Sequence, residues 1–188
     1  MLVHHMASLR RAVPEARASW SRPENIHLTL KFFGDIPITA VENVSTSTAH
    51  AVEGLVDFKI QVSNPGVFPS HGSPRVLWIG VRDVTGKLAE LHARLENEAA
   101  KVGFEKETRA FHPHLTLARF REHQRRTKQS SAEEAQLARA LVSEHKDTQL
   151  PSMEIAVSEL LVIRSELSRE GSRYTVVSRH PLGMSGKL

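Results

Sequence analysis

The chain has no cysteine among its 188 residues, which excludes disulfides, thiolate metal sites and a cysteine nucleophile together. No apolar run approaches the roughly 18 to 20 residues that a membrane-spanning helix needs. The opening MLVHHMASLRR is basic but lacks the apolar stretch and small-residue cleavage site of a secretory signal, so a cytoplasmic location is expected. Charge of one sign is also scarce. The 25 Lys and Arg exceed the 21 Asp and Glu by four, a modest tilt towards an anionic partner such as RNA, a nucleotide or a phosphate ester. A hydrophobic content of 40% suffices for a buried core, and a chain of this length makes one domain or two small lobes.

What the chain does contain is one tetrad spelled twice, HLTL at 27–30 and HLTL at 114–117. Given one histidine, the chance that Leu-Thr-Leu follows is about one in a thousand or less at average composition. With eleven histidines, two matches point to two halves of one site.

Hydrophobic periodicity gives the frame. A short helix over 7–18 is interrupted by Pro14, and IHLTLKFF at 26–33 alternates as a strand closed by Gly34-Asp35. A helix follows Pro37, and 58–62 and 76–81 are expected strands joined by NPGVFPSHGSPR. The strongest helix is 85–102, where Leu88, Leu91, Leu95 and Ala99 form an apolar stripe and Gly103 stands at a left-handed cap. The second tetrad lies in a strand over 111–120. A basic segment REHQRRTK, a helix through Glu144 with a capping box at Ser130 or Ser131 and Glu133 or Glu134, and strands at 155–163 and 174–178 around a SREGS turn complete the order. Each tetrad strand precedes a helix and a strand pair. Two α+β lobes related by approximate duplication would give that order, with one tetrad in each lobe.

Side chains alternate along a strand. His27 and Thr29 therefore share one face with Leu28 and Leu30 behind, and His114 and Thr116 share one face with Leu115 and Leu117 behind. Continued parity adds Lys31 and Phe33 to the first open face and Ala118 and Phe120 to the second. Two imidazoles supply proton transfer near neutral pH and two hydroxyls donate hydrogen bonds to anionic oxygens. That set suits in-line displacement at a phosphodiester, with a base beside the entering oxygen and an acid beside the departing one. No metal is demanded.

Several residues keep two readings. His112 and His114 with His27 could ligate zinc, although no convincing carboxylate accompanies them and the threonines would have no task. Phe33 and Phe120 are equally candidates for stacking a nucleobase and for a core or interface. Lys31 could meet a phosphate or be a solvated charge. Together Lys31, Phe33, His112 and Phe120 are the candidate substrate contacts. Arg121, Arg125, Arg126 and Lys128 could grip an RNA backbone or form a solvated loop. His4 and His5, near the terminus, read as inert.

These residues resemble the 2H phosphoesterases, defined by two His-x-Ser/Thr-x tetrads, and among them the RNA 2′,3′-cyclic phosphodiesterases, also called 2′-5′ RNA ligases. RPENIHLTLKFFGDI, FPSHGSPRVLWIGV, FHPHLTLARF and SELSREGSRYTVVSRHPL carry the resemblance from Arg22 to Leu182. It implies a single bilobal α+β domain over 1–188, with antiparallel sheets lining a cleft and helices outside. It further implies cofactor-free hydrolysis of an RNA or nucleotide 2′,3′-cyclic phosphate to a 2′-phosphomonoester by a monomer. By motif position His27 resembles the proton donor to the leaving 3′ oxygen and His114 the proton acceptor from water, with Thr29 and Thr116 binding phosphate. The family's opening apolar strand is apparently missing here. A non-catalytic nucleotide-binding module, a metal hydrolase using His27, His112 and His114, and 2′-5′ ligation in reverse are the competing readings.

Overall fold

Pro14 fixes where the first helix stops. The computed structural model describes residues 1–120, 128–168 and 171–183, with side chains given at all of these except 128–131 and 168. Helix α1 spans Leu2–Ala12 and ends at Val13, whose φ of −135° and ψ of 71° lie outside the helical region that a following proline disfavours. It starts earlier than the expected 7–18 because Met6 and Leu9 are buried at helical spacing, and His5 with them. His5 is thus part of the interior, which corrects its reading as an inert terminal residue.

Strand β1 (Ala18–Trp20) is a three-residue element that the periodicity does not announce. A 3-10 turn at Pro23–Asn25 follows, and the first tetrad is not a strand: only Leu28 pairs, as an isolated bridge to Leu115. Helix α2 (Val41–Val52) precedes β2 (Phe58–Phe68) and β3 (Val76–Arg82). In β3, Leu77, Ile79 and Val81 are buried at period two.

Helix α3 (Lys87–Lys101) buries the expected stripe of Leu88, Leu91, Leu95 and Ala99. Gly103 takes φ +93°, with its N–H donating to Ala100 O and that of Phe104 to Ala99 O. This is the pair of bonds that closes a helix on a left-handed glycine. Strand β4 (His114–Phe120) and helix α4 (Lys128–Asp147) come next. The basic segment around Arg121, Arg125 and Arg126, the side chains of Lys128, Ser130 and Ser131, and the centre of the SREGS turn lie outside the described residues.

Strand β5 (Met153–Val157) and β6 (Glu159–Ser168) divide at Ser158 what the apolar run presents as one strand. The run itself contains no Gly or Pro to mark a break, and the division follows the partners: β5 joins a five-stranded sheet, while β6 pairs antiparallel with β7 (Gly171–Pro181). The sheet order is β1-β4-β3-β2-β5, and β4 is antiparallel to both β1 and β3. The fold is α+β with two sheets and four helices among the described residues. No helix of the described residues is long and apolar enough to cross a membrane.

The chain forms two compact units, each made of three separated stretches. The first comprises Met1–Leu28, Val62–Arg82 and His112–Met153; the second comprises Thr29–Gln61, Asp83–Phe111 and Glu154–Leu188. His27 and His114 therefore belong to the same unit, contrary to the expectation of one tetrad per lobe. In the first unit Leu9, Val13, Val67, Leu77, Ala118 and Leu141 form a buried cluster. In the second, α2 packs on α3 and on the β6-β7 hairpin.

A polar chain crosses the first unit. The ring nitrogen Nε2 of His145 lies 3.1 Å from Gly66 O and 3.0 Å from Trp78 O, so it must carry the proton and donate to both carbonyls. Its Nδ1 then accepts from His5 Nε2 at 2.9 Å. Both side chains are buried, His145 at 0% and His5 at 5% exposure. Burial, assisted by the neighbouring His145, holds His5 down at a pKa of about 4, and burial lowers His145 as well.

The unfolded chain, with histidine near its usual pKa of about 6.5, binds more protons than the folded one below that pH. Stability from this pair is therefore complete above about pH 6.5 and lost as pH falls towards 4, the folded value of His5. The urea midpoint should fall across this window and fall less steeply in His5→Gln; an identical slope in the variant would exclude the pair as the source.

Candidate active site

Antiparallel pairing of Leu28 with Leu115 lays the two tetrads side by side. His27 then stands opposite Thr116 on the face away from the leucines, and His114, two residues from Thr116, takes the diagonal place. Diagonal neighbours in regular pairing lie about 7–8 Å apart, a separation that can flank one phosphoryl group. His27 and Thr29 are exposed while Leu28 and Leu30 are half-buried, so the expected alternation holds within the first tetrad without a continuous ladder. Thr29 is the first residue of the second unit, one peptide beyond the bridge.

Ser21 brings the chain to this position. Its Oγ donates to Thr116 O at 2.8 Å and its N–H to Leu117 O at 2.8 Å, tying the approach to the first tetrad onto the edge of β4. The 3-10 turn then returns the chain to Leu28. Nothing in the periodicity marked Ser21, although a serine just ahead of Arg-Pro is a common place for a side chain to bond a neighbouring backbone.

Both imidazoles are held in the same way. His27 Nδ1 lies 2.7 Å from Asn25 O, and His114 Nδ1 lies 2.6 Å from His112 O. A carbonyl only accepts, so each Nδ1 carries a proton. The carbonyl belongs in each case to the residue two positions before the histidine. His112 is thus placed by its backbone as the support of His114.

Aromatic rings fix the second histidine further. Phe68 meets His114 edge-on at 5.0 Å between centroids, and Trp78 lies 6.0 Å away. Phe68 and Trp78 are themselves 4.9 Å apart. The exposed His112 ring is 6.4 Å from Phe68. Phe68 and Trp78 were not singled out in the sequence; they carried no signal beyond being aromatic residues in the segment that resembles the family's middle motif.

Parity fails beyond the tetrads. Between Leu77 and Trp78 of β3 the partner shifts from Ala118 to Thr116, so Leu117 is the extra residue of a β-bulge. Leu117 and Ala118 are consequently both buried, and Phe120 packs against the core cluster instead of sharing the face of His114. On the other tetrad, Lys31 Nζ donates to Glu96 Oε2 at 2.8 Å and to Glu105 O at 2.9 Å, with 6% of its side chain exposed. Phe33 is half-buried and meets Phe104 edge-on at 4.9 Å. Lys31, Phe33 and Phe120 thus make their contacts inside the protein, which corrects their placement on the open faces. Nor are His27, His112 and His114 gathered as ligands: among the described residues no group of three His, Asp or Glu is arranged to hold a metal ion.

A family model described as the 2′-5′ RNA ligase superfamily matches residues 2–169. The chain belongs to this superfamily. A Methanothermobacter thermautotrophicus protein named RNA 2′,3′-cyclic phosphodiesterase is 33% identical over 161 residues, covering 86% of this chain and 80% of the relative. An Aquifex aeolicus protein of the same name is 32% identical over 165 residues, covering 87% and 81%. Among solved structures, a Thermus thermophilus protein superposes with a TM-score of 0.73 at 20% identity, covering 98% of this chain and 93% of that one. Escherichia coli LigT complexed with 3′-AMP gives 0.67 at 24% identity, covering 96% and 91%. These two likenesses show that the fold shared with them extends through the chain.

In this superfamily member the wall behind His114 depends on a glycine. A Cβ on Gly66 would overlap the six-membered ring of Trp78. Gly66→Ala should therefore force the indole out of place and cost about 1–3 kcal/mol, read as a lower urea midpoint with an altered near-ultraviolet signal. A midpoint equal to wild type would show that the indole does not pack on Gly66.

Proposed function

We infer that this chain hydrolyses the 2′,3′-cyclic phosphate of an RNA end or a small nucleotide to a 2′-phosphomonoester. The observation that carries the reading is the identical support of the two imidazoles, each bonded through Nδ1 to the carbonyl two residues before it. The printed names of the relatives from M. thermautotrophicus and A. aeolicus support the same substrate class.

In the proposed reaction, water attacks phosphorus as His114 Nε2 takes its proton, and the bond from phosphorus to the 3′ oxygen breaks as His27 Nε2 donates a proton to that oxygen. The 2′ oxygen keeps the phosphate. One proton is gained by His114 and one lost by His27, so the rings exchange protons with solvent to return to their starting states. The hydroxyls of Thr29 and Thr116 hold the non-bridging oxygens, where charge builds in the transition state.

Purified protein in EDTA should open a 2′,3′-cyclic nucleotide, with the 2′-monoester identified by phosphorus NMR. His27→Ala and His114→Ala should each lower kcat/KM by about 10²-fold or more. Native turnover in either variant would remove that histidine from the mechanism, a 3′-monoester would reverse the polarity, and nucleotide binding without turnover would make the site a binding module.

A further inference from the structure

The buried carboxylate of Glu96 is the one acidic group of helix α3 that lies within its apolar stripe. Only 8% of its side chain is exposed, and that of its partner Lys31 is 6% exposed. Replacing such a buried pair with apolar side chains is commonly neutral or stabilising, since the desolvation of two charges offsets their attraction. What the pair does here is geometric, and its contacts show where.

Glu96 Oε2 accepts from Lys31 Nζ at 2.8 Å and from the backbone N–H of Glu107 at 3.0 Å. Lys31 Nζ also donates to Glu105 O at 2.9 Å. One carboxylate and one ammonium thus clasp two chain segments: that leaving the first tetrad, two residues past Thr29, and that approaching the second, five residues before His112. The other oxygen, Oε1, has no hydrogen-bond partner and lies 3.8 Å from His92 Nε2. The His92 ring stacks on Phe111 at 4.0 Å and 7°, and Phe111 adjoins His112, whose carbonyl holds His114. Burial lowers the pKa of His92, keeping that ring neutral at pH 7.

We propose that Lys31 and Glu96 are positioning residues of the reaction, a buried latch in the second unit that fixes the two segments from which both histidine tetrads are strung. This rests on reading His27 and His114 as the reacting groups. Lys31 acts through the chain on His27, four residues away, and Glu96 acts on His114 through Glu107, Phe111 and His112. Neither touches substrate. Because reacting groups displaced by about 1 Å can lose about 10²-fold in rate, loss of the latch should appear in kcat.

The test is Lys31→Met with Glu96→Gln, which removes both charges, roughly conserves volume and leaves an acceptor for the Glu107 N–H. The double variant should keep a melting temperature close to wild type, lose about 10- to 100-fold in kcat and change KM by less than about threefold. The imidazole carbon-bound proton resonances of His27 and His114 should move. Lys31→Arg, which retains the charge and both acceptors, should keep kcat within about threefold of wild type. A folded double variant with native kcat and unmoved resonances would overturn the latch. Should it not fold, Glu96→Asp, which keeps the charge on a shorter arm, is judged by the same two readouts. If wild-type protein turns over no cyclic phosphate, the proposed function fails, and the imidazole resonances alone then decide the latch.

Discussion

When Leu28 pairs with Leu115 in antiparallel sense, the alternation of side chains along extended backbone fixes which residues can meet. The leucines turn one way, and His27, Thr116 and His114 turn the other. A slip of one residue in this pairing would exchange the polar and apolar sets. The bridge is isolated, so its register is held from outside: by Ser21 on the carbonyls of Thr116 and Leu117, and by β1 paired with the far end of β4. The site therefore depends on a short contact between two backbones that stronger neighbouring contacts keep in register.

Behind β4, the first unit spends buried polarity on holding its elements together. His5 from α1 and His145 from α4 form a directed chain of donors ending on the carbonyls of Gly66 and Trp78. The indole that shares its residue with one of those carbonyls stands beside His114. Two helices are thereby linked to the strand that backs the catalytic candidate, through bonds whose direction is set by which atoms can only accept. In the second unit the Lys31-Glu96 pair plays a comparable part for the segments on either side of the tetrads.

Local signals in the sequence were informative where one element decides its own fate. The stripe and glycine cap of α3, the alternation of β3 and the facing of His27 with Thr29 follow from nearest neighbours along the chain, and the repeated tetrad pointed to the paired histidines. Features set by partners were not legible. The bulge at Leu117 is a mismatch between β3 and β4, so parity counted along β4 alone placed Ala118 and Phe120 wrongly. The first tetrad alternates like a strand yet finds a partner at Leu28 only, and the run at 155–163 divides at Ser158 because its halves join different sheets. Lys31 read as a phosphate contact or a solvated charge because nothing near it in sequence reveals Glu96, 65 residues away. His5 was misread for the same reason, its partner lying 140 residues on.

The threefold interleaving of the two units carries a consequence for biosynthesis. The first unit is incomplete until the ribosome has delivered α4, and the second until it has delivered the β6-β7 hairpin. Neither can mature until its third stretch has been translated, in contrast to proteins whose domains follow one another and fold in turn. Severing the gene at any of the three inner unit boundaries, after Gln61, Arg82 or Phe111, would leave both halves without a complete unit.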